Sequence, residues 1–358
     1  MRVCIIGDGI SSLTLAKALI NENIYVDIYT SKKNFSFNKS RTIGISKSNV
    51  EFFNTNIINI DKIIWKLKII ELYSENLKDE KLLNFRSKGD QLFSILRNYQ
   101  LYKILEKKLL KNKYFKKKNL KIGLNIKKKY DILINTDYNN SFTKKYFNKK
   151  IIKQYNSVAY TTVIKHEKIL NNSAIQIFTK YGPLAFLPIS EKETSIVYSF
   201  LNKHNLAKVD IGKLIKSYNI KYKILGYEQI QSFELKSLIL RSYYQDNILA
   251  FGDLLHRIHP LAGQGFNMTI RDIKIFIDII KKRKSLGLSL DSSISKEFEK
   301  KMKHKNIIFS SGIDLIYEFF NLERKTKNNI LSKAVQFLGK NSSVNNVFTK
   351  IADRGIIF

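Results

Sequence analysis

Apolar residues fall in short blocks along the chain, and the first blocks switch between two periods. Arg2 to Ile6 is a short apolar run, as expected of a strand buried on both faces. Gly7-Asp8-Gly9-Ile10-Ser11-Ser12 interrupts it, and Leu13, Leu15, Ala16, Leu19 and Ile20 then share one helical face. Tyr25 to Tyr29 returns as a strand, so residues 2–30 predict strand, tight turn, helix, strand. Far downstream, Asn247 to Phe251 reads as another apolar strand, followed by an acidic turn, a His-Pro corner, a glycine-rich loop and a helix through about Ile280. From about Ser295 the pattern becomes helical and amphipathic. Ile307, Ile308, Phe309, Ile313, Leu315, Ile316, Phe319 and Phe320 form an apolar run that Phe337, Leu338, Val347, Phe348 and Ile351 continue.

The N-terminal unit has a chemical reading. Gly7 permits a sharp turn, Gly9 lets backbone N–H groups approach a pyrophosphate, and the helix start places partial positive charge on that anion. Ser12 stands where the fingerprint has its third glycine, and serine is small enough for close helix–strand packing. Thr30 stands where an acid would bind ribose hydroxyls; its hydroxyl is expected to make that hydrogen bond less strongly than a carboxylate.

Composition narrows the field. The chain has 358 residues, 44% of them hydrophobic, enough for two domains. Only three prolines occur, and no linker-like stretch separates the halves, so a second domain is expected to be woven into the first. A single cysteine, Cys4 in the first apolar run, excludes an internal disulfide framework and reads as a buried thiol. The net charge is +33, but the lysines are spread among abundant isoleucine and asparagine, which disfavours nucleic acid as a partner. The same charge would help the protein lie on an anionic membrane. No apolar stretch approaches a membrane span, and Asp8, Asn21 and Glu22 break any leader-like pattern. A cytoplasmic protein, with a peripheral position on the inner membrane face left open, is expected. His256 and His259 lack the accompanying ligands of a metal site, so no metal is expected, and His259 before Pro260 is expected to shape the turn.

The stretch Gly252-Asp253-Leu254-Leu255-His256-Arg257-Ile258-His259-Pro260-Leu261-Ala262-Gly263-Gln264-Gly265-Phe266-Asn267 closely resembles the second flavin motif of the aromatic hydroxylase flavoproteins. Tyr155 to Ala159, Lys165-His166-Glu167 and Phe178 to Pro188 resemble the substrate-domain sheet of the ubiquinone-biosynthesis hydroxylases within that family. Arg41 to Ser46, Arg97-Asn98 and Glu297 to Lys301 continue the likeness in order. One family motif is eroded: Asp137 and Ser141 persist after the strand Asp131–Asn135, but Tyr138 replaces a glycine and is expected to alter the turn.

The resemblance implies a para-hydroxybenzoate-hydroxylase-like α/β fold. A doubly wound, Rossmann-like FAD-binding domain (residues 1–65, 94–150 and 240–290) would carry an inserted antiparallel-sheet substrate domain (66–93 and 151–239) and a helical C-terminal region (291–358). It implies FAD held by Gly7, Gly9, Ser12, Thr30, Arg41, Arg97, Asp137, Asp253, Pro260, Gly263, Gln264, Gly265, Phe266 and Asn267, with Asp253 on the ribityl chain. NAD(P)H would be the reductant, and a flavin C4a-hydroperoxide formed with O2 would hydroxylate a polyprenylphenol ring. The flavin carries that chemistry, so no catalytic side chain is singled out. Phe178, Tyr181, Pro183 and Phe186 are the candidates for the substrate wall, although for any single one the favoured reading is that it fills the core between sheet and flavin domain. A polyprenyl reductase, or a non-catalytic scaffold of a quinone-synthesis complex, stays open beside this reading; a flavin halogenase is disfavoured because Trp65 is the only tryptophan.

Overall fold

A computed structural model describes residues 1–30, 39–77, 80–87, 89, 91–119, 124–201, 210–326, 329–340, 346–347, 349–351 and 353. Phe348, part of the expected apolar tail, lies outside them. Among the described residues three sheets make up the β structure.

The first sheet has six strands. Its order is Tyr244–Gln245, Ile248–Ala250, Ile132–Asn135, Arg2–Ile6, Tyr25–Thr30 and Phe115–Asn119. All neighbours are parallel except the short edge hairpin. Val3, Cys4, Ile5 and the strand Ile132–Asn135 are fully buried, because helices cover both faces of a parallel sheet. Burial pushes the Cys4 thiol far up, so it stays protonated and inert.

The second sheet has nine strands and is almost wholly antiparallel, built mainly from residues 150–240. The strands Ile69–Ser74 and Lys81–Arg86 extend it, the former by a parallel pairing with Ser173–Thr179. His256–Arg257, from the flavin-like motif, pairs with its edge at Leu238–Ile239. Between these two sheets lies a three-stranded one, Thr42–Ser46, Phe93–Arg97 and Ile64–Leu67. Chain segments therefore cross between the layers several times.

The helix Ser293–Thr326 runs along both layers. Phe298 near its start packs on Phe251 and Phe276 of the nucleotide-type domain, with ring centroids 5.5 and 5.6 Å apart. Phe320 near its end stacks flat on Phe178 of the large sheet. The amphipathic tail thus buries one face and leaves Leu315 and Leu322 exposed.

Candidate functional site

Parallel strands direct their carboxyl ends to one edge, where ligands of open α/β sheets bind. Gly7 follows Ile6 there, Thr30 ends the second strand, Asp137 follows Asn135, and Gly252-Asp253 follows Ala250. Gly7 has φ +109°, and a Cβ on it would sit 2.3 Å from Thr136 Oγ1, so only glycine fits. Around Gly9, by contrast, the space is open. The helix Ile10–Asn21 begins there with neither a side-chain cap nor an acid in its first turn, which leaves its N–H groups for an external anion. Ser12 is buried with its hydroxyl 2.7 Å from that of Thr136, tying the turn to the neighbouring strand end.

Gly252 (φ +62°) lies against this turn: a Cβ on it would come within 3.0 Å of the Ser11 Cβ. Two motifs about 240 residues apart in sequence therefore share one wall. Asp253 is exposed at this junction, and its carboxylate has no hydrogen bond or ion pair with a described residue. Pro260 leads into Leu261–Gly263, and Gly263 (φ +62°) starts the helix Gln264–Ser285, again without a side-chain cap. Beside Gly265 the space is open, and Phe266 packs partly buried near Phe53. Two uncapped helix starts, each beside an open glycine, suit a ligand with a pyrophosphate at one end and an electron-rich ring edge at the other.

The loop that carries the second start is held by buried polar groups. Asn267 is fully buried: its Oδ1 accepts from Ser46 N (2.9 Å) and Asn49 Nδ2 (2.8 Å), and its Nδ2 donates to the carbonyls of Gly44 (3.0 Å) and Gly263 (3.1 Å). With its amide fully engaged, the Asn267 side chain clamps the loop, so a contact of this residue with a cofactor would have to come from its backbone. Gln264 Oε1 accepts from Arg271 (3.0 Å), whose guanidinium burial pushes down to about 10. His256 Nε2 lies 2.5 Å from Asp272 Oδ2, and Asp272 Oδ1 accepts from Asn306 of the long helix at 3.0 Å. Among the described residues no group of three potential metal ligands occurs.

Several candidates sit differently from expectation. Arg97 is engaged by Glu193 (3.1 Å) and Glu228 (3.5 Å), so it bridges the small sheet to the large one and its charge is already matched. Arg41 is exposed, and its carbonyl accepts from Asn98 N. Thr30 donates its hydroxyl to Asp8 Oδ2 at 2.7 Å. Tyr138 does not take positive φ. Its turn is held by Asn135, Asn140 and Thr143: Asn140 caps the helix Ser141–Tyr146, and Thr143 Oγ1 donates to the carbonyl of Asp137 at 2.6 Å.

The four substrate-wall candidates split between two faces of the large sheet. Phe178 and Pro183 are cross-strand partners on one face, whereas Phe186 lies on the other and is buried with Tyr198 and Phe200. Tyr181 stacks on Phe200 at 5.3 Å and belongs to that second cluster. Phe178 is covered by Phe320. The face shared with Pro183 carries Ala185 and Leu187, paired with Val197 and Ser195. Ser195 hydrogen-bonds Thr42 at 2.7 Å, and the Thr42–Ser46 strand backs the Gly263 loop. Ala185, Leu187 and Val197 are only half-buried there, although their neighbours along each strand are buried. Burial alternates strictly over Gly182–Pro188 and separates these faces, although the stretch is apolar throughout and its sequence does not show the alternation.

His259 is a residue whose surroundings no local pattern indicates. It is 1% exposed, its ring lies 4.9 Å from Tyr155 and 4.5 Å from Tyr317, and neither ring nitrogen has a hydrogen-bond partner among the described residues. Burial, with a smaller effect from Lys153, pushes its imidazole down to about 3. Tyr155 donates its hydroxyl to Asp314, and burial followed by that carboxylate pushes the phenol far up.

Comparison with known proteins bears on this geometry. A family model described as an FAD binding domain matches residues 209–280, which include the Gly252–Asn267 loop. The 3-demethoxyubiquinol 3-hydroxylase of Escherichia coli (strain K12) is 29% identical over 176 residues, 47% of this chain and 45% of that protein. This chain resembles the aromatic-hydroxylase flavoproteins. Within that family, a Drosophila melanogaster ubiquinone biosynthesis monooxygenase is 23% identical over 232 residues, 53% of this chain and 49% of the relative. The chain thus spans about half the length of the curated relatives it matches. Two solved structures share the fold at a TM-score of 0.76. One is p-nitrophenol 4-monooxygenase of Pseudomonas putida DLL-E4, at 12% identity over 99% of this chain and 98% of that one. The other is Klebsiella pneumoniae HpxO, complexed with FAD and uric acid, at 11% identity over 99% and 97%. The flavoprotein fold, doubly wound with an inserted antiparallel sheet and a helical C-terminal region, is as the sequence implied.

Proposed function

We propose that this chain is an FAD-dependent monooxygenase that hydroxylates the aromatic ring of a polyprenylphenol in ubiquinone biosynthesis, with NAD(P)H and O2 as co-substrates. The observation that carries the proposal is the meeting of Ser11 with Gly252, which sets two uncapped helix starts and the exposed Asp253 along one sheet edge. Bound FAD would supply hydride acceptance and oxygen activation. The protein's part is binding and exclusion. The turn at Gly7–Ser12 holds the pyrophosphate, and Asp253 accepts hydrogen bonds from the ribityl hydroxyls. The Gly263 helix start would offer its uncapped N–H groups to negative charge on the ring edge. Ala185, Leu187 and Val197 form an apolar wall that admits a flat ring and keeps water out.

Contact with an anionic membrane belongs to the same proposal, since a polyprenyl substrate partitions into lipid. Leu315 and Phe337 are 71% and 77% exposed on the C-terminal helices of a chain with net charge +33. Among the described residues no helix is long and apolar enough to cross a membrane.

The test is the visible spectrum of the purified protein, followed by NAD(P)H and O2 consumption with a polyprenylphenol. A protein that shows and acquires no flavin spectrum overturns the enzyme reading in favour of a scaffold. A flavin reduced by NAD(P)H that yields no oxygen-dependent product points to the reductase.

A further inference from the structure

The strand end that should present an acid to the ribose ends in Thr30, and the structure shows what stands in its place. Thr30 is 5% exposed and gives its hydroxyl proton to Asp8 Oδ2 at 2.7 Å. Asp8, between the two turn glycines, is 9% exposed, and no other hydrogen bond to its carboxylate occurs among the described residues. A carboxylate so nearly buried, one oxygen held by a single neutral hydroxyl, is undersupplied with donors. It lies at the carboxyl edge of the parallel sheet, where the first two strands end and where a dinucleotide's sugar is placed by the glycine turn.

Resting on the flavin-binding reading above, we propose that Asp8 is this chain's ribose acid, moved from the end of the second strand into the glycine turn and aimed by Thr30. The carboxylate's free oxygen accepts from the 2′- and 3′-hydroxyls of the adenosine ribose. Thr30 acts as a positioning residue, and its hydrogen bond fixes the rotamer of Asp8. The missing acid is thereby a relocation, and the chain keeps a charged acceptor at the sugar.

Calorimetric titration of the full-length protein with ADP and with 2′,3′-dideoxy-ADP tests this without requiring flavin turnover. The wild type should bind ADP about tenfold more tightly than the dideoxy compound, the worth of one charge-assisted hydrogen bond. Asp8→Asn should lose most of that discrimination and weaken FAD binding by a similar factor. The double variant Asp8→Gly/Thr30→Glu, with the acid back at the strand end, should regain both. Equal binding of the two nucleotides by the wild type, or an Asp8→Asn protein that discriminates as well as the wild type, overturns the proposal. Should Asp8→Asn fail to fold, the wild-type pair alone decides. Retained ribose discrimination in a protein that consumes no oxygen would instead count against the monooxygenase reading alone.

Discussion

The two helix starts that face the candidate flavin site are built by opposite means. The N-terminal one depends on backbone: Gly7 at positive φ, open space at Gly9 and one hydroxyl pair between Ser12 and Thr136. The second depends on buried side chains: Asn267 with four hydrogen bonds, and the chain His256–Asp272–Asn306 behind it. A turn anchored between two strands of a parallel sheet needs little further support. A loop that leaves the sheet, pairs with the edge of another and then enters a helix needs polar groups to fix it, since apolar packing alone is non-directional.

Substitutions can break this contrast. The largest effect is expected from His256→Ala, which leaves the fully buried Asp272 with one hydrogen-bonding partner fewer. Denaturant unfolding should show a loss of about 3–5 kcal/mol, the cost of orphaning one member of a buried pair. Asn267→Ala strips the clamp and should cost about 2–3 kcal/mol by the same assay, since several buried donors and acceptors lose partners together. Gly7→Ala should separate the two regions: strain and the Thr136 clash abolish flavin binding, while the Gly263 loop keeps its network. A variant that still takes up FAD at wild-type affinity would refute the role given to the turn.

His259 supplies a smaller, pH-dependent effect. Its folded value near 3 lies below the ordinary value of 6.5, so the unfolded chain binds the extra proton as pH falls below about 6.5. Stability from this group is therefore complete at neutral pH and lost on acidification, by about 1.4 kcal/mol at pH 5.5. His259→Leu should flatten that part of the stability–pH curve; an unchanged slope would show that the ring is protonated or hydrated in the fold. The smallest change in stability is expected for Asp253→Ala, which should leave the melting temperature in place while weakening FAD about tenfold, as the loss of one charge-assisted hydrogen bond requires. His256→Ala and Asp253→Ala thus distinguish holding the loop from holding the ligand.

The same contrast explains what could be read from the chain. Strand and helix positions were legible because period and glycine placement are local: Arg2–Ile6, Ile10–Asn21 and Gln264–Ser285 follow from them. Partners set by tertiary packing were not. Arg97 meets Glu193 and Glu228 across 96 and 131 residues, and Asn267 meets Ser46 across 221, so nothing beside either residue reveals that its polar atoms are engaged. The proposed pocket wall was legible in part: Phe178 and Pro183 lie on the face that carries the half-buried Ala185 and Val197, whereas Tyr181 and Phe186 pack on the opposite face, a split that aromatic content alone does not reveal.

The helix Ser293–Thr326 also governs when the protein can assemble. The strand Ile248–Ala250 completes the parallel run only after two-thirds of the chain has been made, and Phe298 and Phe320 seal the two layers later still. During synthesis the strand Ile132–Asn135 must wait with one edge unpaired, the high-contact-order regime in which folding is slow and association competes. Truncation before residue 293 should accordingly yield aggregation in place of a smaller folded unit. Chaperone demand, more than final stability, would then set how much of this protein a cell can accumulate.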